Sequence, residues 1–253
     1  MTSRSSIPLA ISAALLFALG GSVQAQHQPQ AAAPDYPFGF NAYGVFGQMI
    51  TQRNYQPVVA LKDAFAGGTT DAVGAVSGLR GEISMIEGRL IVSYGADCAA
   101  ACPAAASETA TLLATALAQH WQSIVIDKDL DAEALEDFIR AQAKAKGVDD
   151  SKPFPFRIIG TITNFVMHVN AAPNPRFKGH GSFDEMAITG LAKGPRLAGF
   201  VVGFYAPPPL QGVITHMGDY FHSHFVDEQK TATAHLDTFG VAAGSTLQLP
   251  IQQ

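Results

Sequence analysis

The chain has 253 residues and carries 16 Lys and Arg against 21 Asp and Glu, a formal net charge of -5. That balance, with the signs scattered, lacks the basic face that binding nucleic acid requires. Its length supports one large domain or two lobes with a substantial core.

The N-terminus reads MTSRSSIPLAISAALLFALGGSVQAQ. Arg4, an apolar run from about Ile7 to Leu19 and a small-residue pattern ending at Ala25 predict an export signal over residues 1–25, cleaved before Gln26. The run falls short of the ~20 residues a spanning helix needs, so the mature protein is expected to be periplasmic or secreted, with no membrane segment. Residues 26–37, rich in Gln, Ala and Pro, read as a flexible leader. Cys98 and Cys102, the two cysteines, stand in DCAAACPAA. In an oxidising compartment they predict a local disulfide.

Further on, ISMIEGRLIVSYG divides at Glu87-Gly88 into a hairpin. SETATLLATALAQHW predicts a helix. DAEALEDFIRAQAKAKG predicts another, with Asp131 as N-cap, Leu135, Phe138 and Ile139 on one face and Gly147 as its stop. SKPFPF, at 151–156, is the internal break, separating an N-terminal lobe (about 38–150) from a C-terminal lobe (about 151–250). RIIGTITNFVMHV, LAGFVVGFY, QGVITHM, YFHSHFV, TATAHLDTF and STLQLP all predict strands. Helices in the middle with strands around them favour an α+β fold.

Three of the eight histidines, His222, His224 and His235, fall within YFHSHFVDEQKTATAH. On a strand His222 and His224 share a face. If YFHSHFV and TATAHLDTF form an antiparallel hairpin with an even loop, His235 joins them. It then opposes either His224, which puts His222 opposite Asp237, or His222 itself. An odd loop turns His235 away. Three imidazoles with an open fourth position are the pattern of a catalytic zinc site, although imidazole also suits iron, copper, nickel and manganese. His216, on the preceding predicted strand, is placed to lie near them; His168, His180 and His27 have no evident partner. Glu228 follows His224 by four residues, as in the cupin metal motif, but cupins bring their last histidine from a much later strand.

The stretch LAGFVVGFYAPPPLQGVITHMGDYFHSHFVDEQKTATAHLDTF resembles the C-terminal half of α-acetolactate decarboxylases: a Gly-Phe-aromatic-x-Pro segment, an H-x-H-F strand, an acidic turn and a third histidine. GLRGEISMIEGRLIVSYG resembles the family's Asp-Gly-Glu hairpin, FRIIGTI its Arg-Ile-x-Gly strand and STLQLP its last strand, in order across residues 38–250. The resemblance implies an α+β fold of two related β-rich halves, with mixed or antiparallel sheets and a few helices. It implies a zinc ion on His222, His224 and His235, and loss of CO2 from 2-acetolactate to give acetoin. Zinc there acts as a Lewis acid on the substrate's ketone and hydroxyl oxygens. Glu82 is the carboxylate carried over for substrate contact and proton handling.

Three features depart from the family pattern, one being that Thr233 and Ala234 stand where glycines usually precede the third histidine. Asn170 stands where the family places an arginine for the substrate carboxylate, so Arg157 and Arg176 become the candidates to supply that charge. A second family glutamate, near the C-terminus, has no counterpart before Gln253. The expected partner is a small 2-hydroxy-3-oxo acid, and a homodimer is left open. The rival readings keep the fold and metal for another small oxygenated substrate, or take the protein as a non-catalytic periplasmic binder of a metal or small ligand.

Overall fold

A computed structural model describes residues 36–95, 105–180 and 185–251. The predicted export signal, Cys98 and Cys102 lie outside the described residues. No described helix is long and apolar enough to cross a membrane.

Two six-stranded sheets make up the fold, and every strand pairing within them is antiparallel. The first contains β1 (Asn41–Tyr43), β2 (Val59–Ala60), β3 (Asp71–Val76), β4 (Gly81–Ile86), β5 (Arg89–Tyr94) and β6 (Thr109–Ala116). Its order is β1-β6-β3-β4-β5, with β2 also on β6. The second contains β7 (Trp121–Val125), β8 (Phe154–Pro173), β9 (Ala187–Tyr205), β10 (Phe221–Val226), β11 (Thr233–Val241) and β12 (Thr246–Pro250). Its order is β11-β10-β9-β8-β12-β7, and β11 also pairs with β8, so four of its strands close on themselves. The helices are α1 (Phe46–Thr51), α2 (Leu61–Ala64) and α3 (Ala132–Ala145).

The expected hairpin at Glu87-Gly88 joins β4 to β5. Both turn residues have positive φ, 54° and 75°, the conformation a tight two-residue connection demands. Helix α3 starts as expected: the Asp131 carboxylate accepts from the Ala134 N–H at 2.9 Å. Leu135, Ile139 and Ala143 are buried against the second sheet, Phe138 is half-buried beside them, and Gly147 ends the helix at φ 78°.

Two expected elements differ. The segment read as a helix over 107–121 is β6, a short connection and the start of β7. Strand β6 lies between β3 on one side and β1 and β2 on the other, buried along nearly its whole length. A strand covered on both faces loses its alternation, and an Ala- and Leu-rich one then resembles a buried helix. QGVITHM is a tight turn rather than a strand. Val213 and Ile214 N–H both donate to the Leu210 carbonyl, at 3.0 and 3.1 Å, and Gly212 takes φ 75°. The change from first to second sheet falls between β6 and β7, ahead of the Pro-rich break at 151–156.

Between the sheets lies an apolar layer. Val73, Ile86, Ile91 and Ala114 from the first meet Val202, Phe204 and Val226 from the second. Strand alternation decides what β4 brings there. Ile83 and Met85 turn outward onto Leu61 and Ala64 of α2, whereas Glu82, Ser84 and Ile86 face the second sheet.

One ion pair crosses the same layer. Arg157 on β8 donates through Nε at 2.5 Å and through a terminal nitrogen at 2.8 Å to the fully buried Asp71 on β3. Its guanidinium lies 4.0 Å from the centre of the Trp121 ring. Removing one partner of such a pair strands the other charge. Asp71→Ala is therefore expected to lower the unfolding free energy by about 3–5 kcal/mol, measured by urea denaturation.

Candidate metal centre

The hairpin of β10 and β11 has the register the metal reading requires. His224 pairs with His235, Phe225 with Ala234 and Val226 with Thr233, around an even loop over 227–232. Asp227 ties that loop: its carboxylate accepts from the Thr231 and Ala232 N–H groups at 2.6 and 2.7 Å and from the Thr231 hydroxyl at 2.7 Å. Glu228 is exposed in the turn, away from the imidazoles.

His222, His224 and His235 each bring one ring nitrogen within 4.8 Å of the others. The Nε2 atoms of His222 and His224 are 3.2 Å apart. Tetrahedral zinc with Zn–N of ~2.05 Å needs nitrogens about 3.3 Å apart, so this pair already has the spacing. Burial holds all three rings in the neutral form: His222 falls to about 4, and His224 and His235 go well below the usual histidine range. Neutral imidazole is the form that ligates metal.

Hydrogen bonds set the tautomers. His222 Nδ1–H donates to the Ile214 carbonyl at 2.7 Å, leaving Nε2 with its lone pair. The Thr233 hydroxyl donates to the Phe225 carbonyl at 2.9 Å, and its oxygen is 2.6 Å from Ser84 Oγ. With the Thr233 proton so committed, the Ser84 hydroxyl donates to Thr233. Ser84 Oγ is then the acceptor for Nδ1–H of His224 at 3.1 Å, and His224 Nε2 is left as a ligand. These three residues can therefore hold a metal ion, with two of the rings already anchored from behind.

Glu82 sits beside them, 2% exposed, with Oε2 3.7 Å from His224 Nε2. Burial pushes its carboxyl up to about 8, against the pull of His168 and of the Asn170 donors. Asn170 is brought to the site, but both its backbone N–H and its side-chain amide donate to Glu82 Oε1, at 3.1 and 2.6 Å. Its backbone N–H and one amide proton are thereby committed to positioning Glu82. Arg157 is not brought to the site: it is held by Asp71 and does not line the cavity. Arg176 is exposed on a turn after β8.

His168 is the site residue that sequence reading missed. It pairs with His235 across β8 and β11, its ring 4.9 Å from that of His235, and its Nδ1 lies 2.7 Å from Asp237 Oδ1. Asp237 is not opposite His222, as unbroken pairing would have it. The ladder between β10 and β11 ends at His224 and His235, and an irregularity between Leu236 and Thr238 turns Asp237 to His168. The only hint in the sequence is that His168 and Asn170, two residues apart, share a face of one strand. His216 stacks on Phe46, with ring centres 4.5 Å apart, and it also lines the cavity. That cavity, about 420 Å³, opens over Glu82, His168, Asn170, His222 and His235.

His224→Ala is expected to abolish stoichiometric zinc uptake by the purified protein, read by elemental analysis after dialysis. Ser84→Ala leaves all three imidazoles in place and is expected to weaken zinc roughly 10–100-fold in a chelator competition.

The family model described as alpha-acetolactate decarboxylase matches residues 46–252. A search of curated proteins by sequence found no match. Among solved structures, α-acetolactate decarboxylase from Bacillus subtilis strain 168 superposes with a TM-score of 0.68 at 13% identity, covering 85% of this chain and 86% of that one. Acetolactate decarboxylase from Bacillus subtilis subspecies spizizenii gives 0.65 at 14%, covering 85% and 86%. A Staphylococcus aureus protein of unknown function, described as similar to α-acetolactate decarboxylase, gives 0.62 at 15%, covering 85% of each chain. At these identities the structures establish a shared fold, and the family match covers most of the sequence. The chain belongs to the α-acetolactate decarboxylase family.

Proposed function

We propose that the protein is a zinc-dependent decarboxylase that converts 2-acetolactate to acetoin and CO2. The observation that carries this reading is the meeting of three neutral imidazoles, two of which line one cavity, with a buried carboxyl on the same lining whose pKa burial raises to about 8. A zinc ion held by His222, His224 and His235 would supply Lewis-acid stabilisation for the negative charge that develops on the substrate's ketone and hydroxyl oxygens as CO2 leaves. Without a metal, burial pushes the Glu82 carboxyl up to about 8, and in this reading Glu82 is the acid that delivers a proton to the carbon that loses CO2. Asn170 clamps Glu82 Oε1, which leaves Oε2 on the side of His224. The export signal read from residues 1–25 would place this chemistry in the periplasm or outside the cell.

A second reading keeps the fold and metal but takes another small oxygenated substrate. It is favoured by one observation: among the described residues, no lysine or arginine lines the cavity to meet a carboxylate.

Incubating zinc-loaded protein with racemic 2-acetolactate is expected to give acetoin well above the spontaneous background. Glu82→Gln is expected to keep its zinc and lose about 10²–10⁴-fold in kcat. A loaded wild-type protein that yields only background acetoin would overturn this reading and leave the second reading and the non-catalytic binder standing.

A further inference from the structure

The cavity is large for a substrate bearing two methyl groups, and polar and apolar groups share its lining. The five carbons and four oxygens of acetolactate, even at the ~30 Å³ that each water molecule occupies, fill at most roughly two thirds of it; its volume is about 420 Å³. Beyond the imidazoles, Met49, Leu112 and Met186 form one apolar wall, and Ile139, Phe221 and Phe239 come from the opposite core. Apart from the histidines and Glu82, whose carboxyl burial pushes up to about 8, the ionisable groups on the lining are Glu136, Asp219 and Asp237. Outside the described residues the sequence has one basic side chain, Arg4. Arg157 is spent on Asp71, and the Asn170 backbone N–H and one of its amide protons on Glu82.

A ligand therefore gains affinity here in two ways: by chelating a metal at the imidazoles and by covering the apolar walls. An anionic group away from the metal meets the Glu136, Asp219 and Asp237 carboxylates and, among the described residues, no lysine or arginine to offset them. We infer that the cavity discriminates among hydroxy-oxo acids by their apolar substituents, and that it favours those with longer or bulkier side groups over acetolactate itself. This inference rests on the metal reading of the same site. It does not depend on which bond the enzyme breaks.

Neutral hydroxamates chelate zinc through two oxygens, as a hydroxyketone would, and undergo no decarboxylation. They therefore separate recognition from turnover. Calorimetric titration of zinc-loaded protein with aceto-, butyro- and hexanohydroxamate is expected to show affinity rising about fourfold for each added methylene. The monohydroxamate of succinate, which ends in a carboxylate, is expected to bind at least tenfold more weakly than butyrohydroxamate. The double variant Met49→Ala, Phe239→Ala shortens both walls and should flatten the chain-length series while leaving acetohydroxamate affinity and zinc content unchanged.

Affinity that is flat or falls with chain length overturns the inference, as does a succinate derivative that binds as tightly as butyrohydroxamate. A rise that persists unchanged in the double variant also overturns it, because the chain then lies against other residues. A protein that takes up no zinc overturns both this inference and the metal reading. A rising series in a protein that forms no acetoin sinks the acetolactate reaction alone.

Discussion

Register is the constraint on which the site depends. Three imidazoles can converge only because β10 and β11 are paired with His224 opposite His235, and the loop over 227–232 holds that pairing through the Asp227 carboxylate. A slip of one residue would send His235 to the opposite face, leaving two imidazoles and an incomplete ligand set. The partners farther away follow from the same pairing. Thr233, two residues before His235, reaches Ser84 on the other sheet, and Ser84 in turn orients His224. Register, tautomer and ligand geometry are thus one problem, solved once in the turn.

Burial then sets the chemistry. The interface between the sheets contains Glu82, Ser84, His222, His224 and Thr233, polar groups that would each be costly to bury alone. They are tolerated because they bond to one another and to the Ile214 and Phe225 carbonyls. The same dryness keeps the imidazoles neutral and the Glu82 carboxyl protonated near pH 8. A metal ligand set and an acid follow from one environment acting on opposite charge types: it disfavours the imidazolium cation and the carboxylate anion alike.

Local patterns in the sequence identified the elements built from local physics. Asp131, the spacing of Leu135 and Ile139, and Gly147 define α3, and Glu87-Gly88 defines its hairpin. The histidine hairpin was legible because period-two alternation and loop parity are arithmetic. Strand β6 was not, because burial on both faces erased the alternation that marks a strand. QGVITHM was not, because its Val and Ile residues fit a strand as well as a buried turn, and only the Leu210 carbonyl decides between them. The fates of Arg157, Asn170 and His168 were beyond sequence reasoning for a different reason. Each is decided by a partner far along the chain: Asp71, Glu82 and Asp237 respectively.

Ser84 and Glu82 reach the histidines from the other sheet, and that division of labour has a consequence for assembly. The hairpin carries all three nitrogens, so a crude chelating loop can exist as soon as β10 and β11 have paired. Orientation of His224 and the neighbouring acid arrive only when β4 docks and closes the layer. The ligand set is therefore local to one hairpin, while its orientation and the neighbouring acid depend on a contact between the two sheets. An ion caught by the hairpin would then act as a template around which the first sheet settles.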